Sequence, residues 1–455
     1  MHHRLVALLA VLVLLAAACG DDDAEEGPDT PSDADITETD ETADDGDSPD
    51  ADDESGAADD EPDAADGDGT TVDGPLTASF RGVSETEIRV GIGFVDASDF
   101  GFDTGDIEAQ WRAAIDRVNE AGGINGRMLA PLFGSFSPVG AVEAEEVCLK
   151  FTEDEEVFAF IGFVREDNEL CYTELHETIA VNTDTATIES IERSNGLLYT
   201  ADATRLGLEL LAIDAAAEDG LLDGADVHIN ASVVDEPLVP EITEALEAAG
   251  ANVTGSAVQS TPTGDVPAVR AEHDLIVQRA DADGADTIYA ISDIGLNTTG
   301  AVERSGLPIT IITTHDNADT YVNFGQDPTA VDLRVFAPRQ PEEMYDAGEA
   351  GVVECVENYE ASSGNTVNVG DPDAVPNNFV ATLRACRGVD LFAAIATAAG
   401  AELTNESFVA AAESLGGFEL TAATAASMEA DKVGADDTPA EPLMWDPATL
   451  SFVPA

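Results

Sequence analysis

Apolar positions along this chain follow two alternating periods. Residues 88–95 form a β-branched run, after which Ile107, Trp111, Ala114, Ile115 and Val118 recur at offsets of 4, 7, 8 and 11, the spacing of one helix face. The change of period repeats. Runs at 128–133, 157–161, 179–182, 227–229, 253–258, 287–291 and 309–312 predict strands, and 142–151, 206–217, 240–249, 266–282 and 296–305 predict helices between them. Glycines at Gly122-Gly123, Gly250 and Gly306 stand where helices should stop. Strands alternating with helices of this length predict βαβ units, parallel sheets covered on both faces, and hence an α/β class. Past residue 335 the texture turns helical (343–360, 377–400, 406–415), then ends in short strands at 442–445 and 451–453. Two sets of βαβ units and a helical third section predict two lobes with the chain passing between them.

The beginning of the chain changes this picture. His2-His3-Arg4 precedes an uncharged apolar stretch at 5–17 that closes in Ala16-Ala17-Ala18-Cys19. Thirteen residues are too few for a bilayer core of roughly 30 Å, which takes about 20. The pattern is that of a cleaved secretory signal. A cysteine after three alanines, with Leu15 upstream, resembles the lipobox of bacterial lipoproteins, which implies lipidation at Cys19 and anchoring to the outer face of the cell membrane; plain A-x-A cleavage releasing a soluble protein is the alternative. Residues 21–73 hold 25 Asp and Glu and no Lys or Arg, a composition that buries almost nothing and repels itself, so an extended tether is expected. The expected organisation is a signal peptide at 1–18, the lipidated cysteine and tether at 19–80, a first lobe at 86–205 and 338–415, and a second at 206–337 and 416–455.

Charge narrows the class of partner. The whole chain has 93 acidic against 18 basic residues. Such an excess keeps a protein soluble, rejects nucleic acid and anionic membranes, and fits a saline habitat that screens self-repulsion. No later apolar run is long enough to cross a membrane; 391–401 predicts a buried helix. Apart from Cys19 there are four cysteines, Cys148, Cys171, Cys355 and Cys386. An even number in an exported chain favours two disulfides, and of three pairings 148 with 171 and 355 with 386 closes the shortest loops. No C-x-x-C or H-x-x-x-H spacing supports a metal site, and no cofactor is implied.

One stretch is specific. Ile88-Arg89-Val90-Gly91-Ile92-Gly93, followed by Asn119-Glu120-Ala121-Gly122-Gly123-Ile124-Asn125-Gly126-Arg127 at the end of the first helix, resembles the opening of the branched-chain amino-acid type of ABC-transporter substrate-binding proteins. Val157 through Gly162 and Gly284 through Tyr289 resemble later strands of that family. The resemblance implies a two-lobed Venus-flytrap (type I periplasmic-binding fold), each lobe a doubly wound parallel sheet. Open α/β sheets place ligands in the crevice beyond their strand carboxyl ends, so physical chemistry directs attention to the same place.

Carried onto this sequence, the resemblance implies ligand contacts in the loops after the strands. Phe94, Asp96 and Phe100 fall in the first such loop. Arg165 and Glu166 fall after the third strand, where the family offers a Ser or Thr; Arg165 suits a carboxylate, and a surface pair between the two is the alternative. Thr185, Ala186 and Thr187 match the family's small-Ala-Thr turn, with Thr187 the leading candidate; a turn that satisfies its own backbone is the alternative. On the second lobe Val239 stands where an aromatic is common, and Asp293, His315 and Asp316 stand at the acidic positions. The expected function is an extracytoplasmic, monomeric receptor that closes on a small polar solute, amino-acid-like or bearing an amide or carboxylate, and delivers it to an ABC permease. A ligand-sensing lipoprotein of the same fold is the alternative.

Enzymatic chemistry finds little footing. Gly91-Ile92-Gly93 lacks the third glycine of a dinucleotide turn, and Asp281-Ala282-Asp283-Gly284 lacks the glutamate that closes a calcium loop. There is no G-x-S-x-G, H-E-x-x-H or P-loop, so no enzyme is expected.

Overall fold

The computed structural model describes residues 76–455 except 99–100, 102, 139–140, 165–167, 262–264, 292–294, 315–327, 371–373 and 449–450, with only the backbone of 295 and 296. The signal, Cys19 and nearly all of the tether therefore lie outside the described residues.

The first sheet is built from β1 (Glu87–Val95), β2 (Met128–Phe136), β3 (Ala159–Gly162), β4 (Ile179–Asn182) and β5 (Leu198–Thr200). All pairings are parallel, in the order β2-β1-β3-β4-β5. Alternation along β1 sends the fully buried Ile88, Val90 and Ile92 to one face. There they meet α1 (Ile107–Glu120), whose Trp111, Ala114 and Ile115 are buried and whose N-cap Asp106 accepts from the Ala109 N–H. The other face receives Phe151 and Phe160. A Cβ on Gly91 would stand 2.5 Å from the Phe151 ring, and one on Gly93 2.4 Å from the Phe160 ring. The glycine pair thus makes room for rings in the neighbouring layer. That layer also contains α2 (Val142–Leu149), which widens into a π turn over Lys150–Asp154, and a π turn at Cys171–Leu175; the Cys148–Cys171 disulfide joins them. A short α3 (Ile188–Arg193) follows β4.

The chain then enters the second lobe through α4 (Arg205–Glu218) and continues as β6 (Asp226–Ser232), α5 (Val239–Ala248), β7 (Asn252–Gln259), α6 (Val266–Ala282), β8 (Thr287–Ala290), α7 (Gly295–Ser305), β9 (Thr310–Thr314) and β10 (Asp332–Pro338). Helices α4 and α5 line one face of this sheet, α6 and α7 the other. The chain returns to the first lobe as α8 (Pro341–Asp346), α9 (Ala350–Ser363), α10 (Phe379–Ala399), α11 (Asn405–Ser414) and the two-residue strands β11 (Gly416–Gly417) and β12 (Ser427–Met428). A second disulfide, Cys355–Cys386, staples α9 to α10. Finally β13 (Ala440–Asp446) and β14 (Ser451–Pro454) add antiparallel to β10, giving β14-β13-β10-β9-β8-β6-β7. Among the described residues no helix is long and apolar enough to cross a membrane; Leu391, Phe392, Ile395 and Ala396 on α10 are core residues.

Three differences from expectation have physical causes. Strands β5 and β10 escaped prediction because one has three residues and the other mixes Asp332 and Arg334 with its apolar positions. The helix predicted over 343–360 is two helices, broken at Gly348 with its left-handed φ of 75°. Residues 416–435, expected in the second lobe, instead pack on the first: Leu420, Ala422, Ala426, Met428 and Ala435 are buried in its core.

The second lobe buries a histidine that should make stability depend on pH. His273 is fully buried; its Nδ1 lies 3.4 Å from Asn230 Nδ2 and 3.5 Å from Thr298 Oγ1, and its Nε2 has no partner. Burial pushes its pKa down to about 4, against the pull of Glu272 and Asp274 and with a small push from Arg304. The fold holds the neutral ring, whereas the unfolded chain takes a proton near pH 6.5. Stability is therefore full above that pH and falls as pH drops from about 6.5 to about 4, by up to about 3 kcal/mol. We expect a declining melting temperature over that window and a shallower decline for His273→Asn, measured by thermal melts between pH 7.5 and 4.

Candidate functional site

Three chain segments pass between the lobes: 201–204 after β5, 339–340 after β10 and 436–439 before β13. The first and third run side by side, since Thr200 N–H donates to Val433 O (2.9 Å) and Ala435 N–H to Thr200 O (2.9 Å). One residue joins them. Arg387 on α10, 8% exposed, donates to the carbonyls of Ala201 (2.8 Å), Thr421 (3.2 Å) and Ala422 (2.7 Å), and pairs with Asp202 and Asp436, each at 2.8 Å. Burial lifts the Asp202 carboxyl above its ordinary range, opposed by Arg387 and Arg384.

The carboxyl ends of β1, β3 and β4 open beside this junction. At the end of β1, half-buried Phe94 packs against the first core and exposed Asp96 accepts from the hydroxyl (2.7 Å) and N–H (3.0 Å) of Ser98. Those bonds hold the Asp96 carboxyl below its usual range. After β4 the turn is largely self-satisfied. Asn182 accepts from Asp184 N–H (3.1 Å), Asp184 from Thr185 N–H (2.8 Å), and Asp184 O from the Thr200 hydroxyl (2.7 Å). Ala186 is buried in the layer beneath. Thr187 is the N-cap of α3, accepting from Ser190 N–H (3.0 Å) and donating to the Ser190 hydroxyl (3.0 Å). Its role in the fold is thus capping. Half-buried Thr185, by contrast, makes no hydrogen bond with its hydroxyl. Phe100, Arg165, Glu166, Asp293, His315 and Asp316 lie outside the described residues.

Sequence reasoning passed over the cation at this edge. Phe163 directly follows β3, its N–H donating to Gly93 O (3.1 Å), and the Arg384 guanidinium lies 5.2 Å from its ring centroid. The signal was present in the sequence: Arg384, Arg387 and Asp390 interrupt the otherwise apolar α10 at intervals of three. Asp390 is accounted for by its ion pair with Arg117 and by the Thr421 hydroxyl (2.6 Å).

In the second lobe, Val233 and Val234, directly after the carboxyl end of β6, are 58% and 69% exposed. Two surface hollows lie elsewhere: one of about 620 Å³ beside Asn125, Thr397 and Leu415, and one of about 490 Å³ beside Trp445 and Phe452. The grouping of potential metal ligands found among the described residues, Cys148, Cys171 and His176, has both sulfurs in a disulfide.

The sequence matches no family model and no curated protein. Its structure is similar to an ABC transporter substrate-binding protein from Desulfitobacterium hafniense in complex with Leu, with 12% identity over 81% of this chain and 100% of that one and a TM-score of 0.56. A putative branched-chain amino acid ABC transporter protein from Rhodospirillum rubrum gives 16% identity, 81% and 99% coverage, and a TM-score of 0.56. The chain has the type I periplasmic-binding fold. A fatty acid ABC transporter substrate-binding protein from Thermomonospora curvata shares it, at 14% identity, 84% and 94% coverage, and a TM-score of 0.51. Phe163 follows β3 and Thr185 follows β4, at the carboxyl ends of the first sheet, where the 201–204 crossing leaves it.

Proposed function

We propose that this chain is an extracytoplasmic solute-binding protein that closes its lobes over a small carboxylate-bearing solute and delivers it to an ABC permease. The observation that carries the proposal is the pair of open, largely parallel sheets joined by three crossings, two of which run side by side, a geometry suited to hinge closure over a ligand. The structurally similar proteins named with Leu and with fatty acid both handle carboxylates, which supports a ligand of that kind. Lipidation at Cys19 fits the same function, because a tethered receptor stays at high effective concentration near a membrane partner. Binding without turnover is the expected chemistry.

A thermal-shift and small-angle scattering screen of amino acids, amides, polyamines, short-chain acids and aromatic acids tests this. A true ligand at about 100 times its Kd should stabilise the protein by about 2.7 kcal/mol, contract the particle and be recovered unchanged. A folded protein that responds to none of these solutes would refute the proposal.

A further inference from the structure

We propose that Arg384 is the anion anchor of the interlobe crevice and that the solute is a monocarboxylate with an apolar body. This rests on the solute-binding function above and names the residue and ligand class for it.

The chain has 18 basic against 93 acidic residues, so a cation without a counter-charge is unusual here. Among the described residues, Arg384 and Arg270 are the arginines that make no hydrogen bond or ion pair. Arg270 is exposed on the outer helix α6. Arg384 is half-buried on α10, which packs against β3 and β4, and its guanidinium rests over the Phe163 ring at 5.2 Å. A flanking aromatic face holds a guanidinium in place while its N–H fork stays available, and that fork matches a carboxylate bidentately. One turn further along the same helix, Arg387 reaches Ala201 and Asp202 at the crossing. This places the Arg384 turn at the strand ends.

One further feature lies beside the same helix. Thr183, immediately after β4, is 1% exposed and its hydroxyl has no hydrogen-bond partner. A buried polar atom left unpaired in this way is costly unless something fills the need.

Nearby carboxylates set the net charge of the guest. Asp202 lies close enough to Arg384 for their charges to interact, yet Asp202 is paired with Arg387. Asp184 binds the Thr185 N–H. A second negative charge on the solute would be repelled by them. On the second lobe, directly after the carboxyl end of β6, the exposed Val233 and Val234 offer an apolar surface.

The test compares 4-methylpentanoate and phenylacetate with their neutral amides by calorimetry on the full mature chain, for the wild type, Arg384→Gln, Arg384→Lys and Phe163→Leu. The wild type should bind each acid about 30-fold more tightly than its amide, the scale of a charge-assisted hydrogen-bonded pair. Arg384→Gln should abolish that preference, Arg384→Lys keep part of it, and Phe163→Leu weaken acid binding several-fold. Melting curves without ligand should show all variants folded, the Arg384 variants losing only the ring contact with Phe163. If amides bind as well as acids, or Arg384→Gln binds the acids as the wild type does, Arg384 is not the anchor while the solute-binding function stands. If acids and amides fail but another solute from the wider screen binds, the ligand class is wrong and the receptor survives. If nothing binds the folded protein, both proposals fall.

Discussion

Replacing Arg387 with Met should destabilise the protein by about 3–5 kcal/mol, the cost of breaking a buried ion pair from one side. The side chain is 8% exposed and serves Asp202, Asp436 and three backbone carbonyls at once. Without it, Asp436 loses its ion-pair partner, Asp202 keeps only the more distant Arg384, and the carbonyls of Ala201, Thr421 and Ala422 lose their donor. Because Ala201 and Asp202 belong to one crossing and Asp436 to another, the loss should also loosen the relation between the lobes. Denaturant melts would measure the first effect, and the particle radius from small-angle scattering the second. Adding Asp202→Asn and Asp436→Asn should recover part of the stability, since the penalty resides in the stranded charges. A single variant within 1 kcal/mol of the wild type would show that the crossings are held by other contacts.

Arg127→Met should cost about 2–4 kcal/mol, for a different reason. Arg127 is fully buried and donates from Nε to Ser84 O (2.7 Å), from Nη1 to Ala401 O (2.8 Å) and from Nη2 to Thr77 O (2.8 Å). Each bond from a charged donor contributes about 1.5–3 kcal/mol, offset by the cost of burying a cation that lowers its own pKa. The residue ties the segment entering the body, the turn before β1 and the end of α10 into one cluster. Arg127→Lys, which cannot reach three carbonyls in a plane, should fall between. Equilibrium urea unfolding of both variants provides the measurement; equal stability of Arg127→Met and the wild type would contradict this role.

Arg127 also explains the most specific stretch of the sequence. Asn119 in the same stretch exchanges two bonds with the backbone of Leu129 (3.0 and 2.7 Å), and Asn125 donates to the carbonyls of Ala396 (3.3 Å) and Thr397 (3.1 Å). The segment that carries the resemblance is a staple between α1, β2 and α10. It carries the resemblance through structural bonds.

What the sequence by itself determined is everything that depends on local periodicity and chain chemistry. The α/β class and the order of most strands and helices follow from alternation, capping and spacing, which act within a few tens of residues; the four cysteines favoured the local pairing of 148 with 171 and 355 with 386, and the structure shows it. Only the tertiary structure shows which side chains the strand ends bring together. Thr187 was the leading ligand candidate on sequence, yet whether a threonine caps a helix or faces a crevice depends on where the next helix starts, and here α3 begins at Ile188. Arg384 and Phe163 meet because α10 packs across the ends of β3 and β4 in one particular register, and Arg387 bridges two crossings for the same reason. Helical spacing says which residues share a face; only packing says what that face meets.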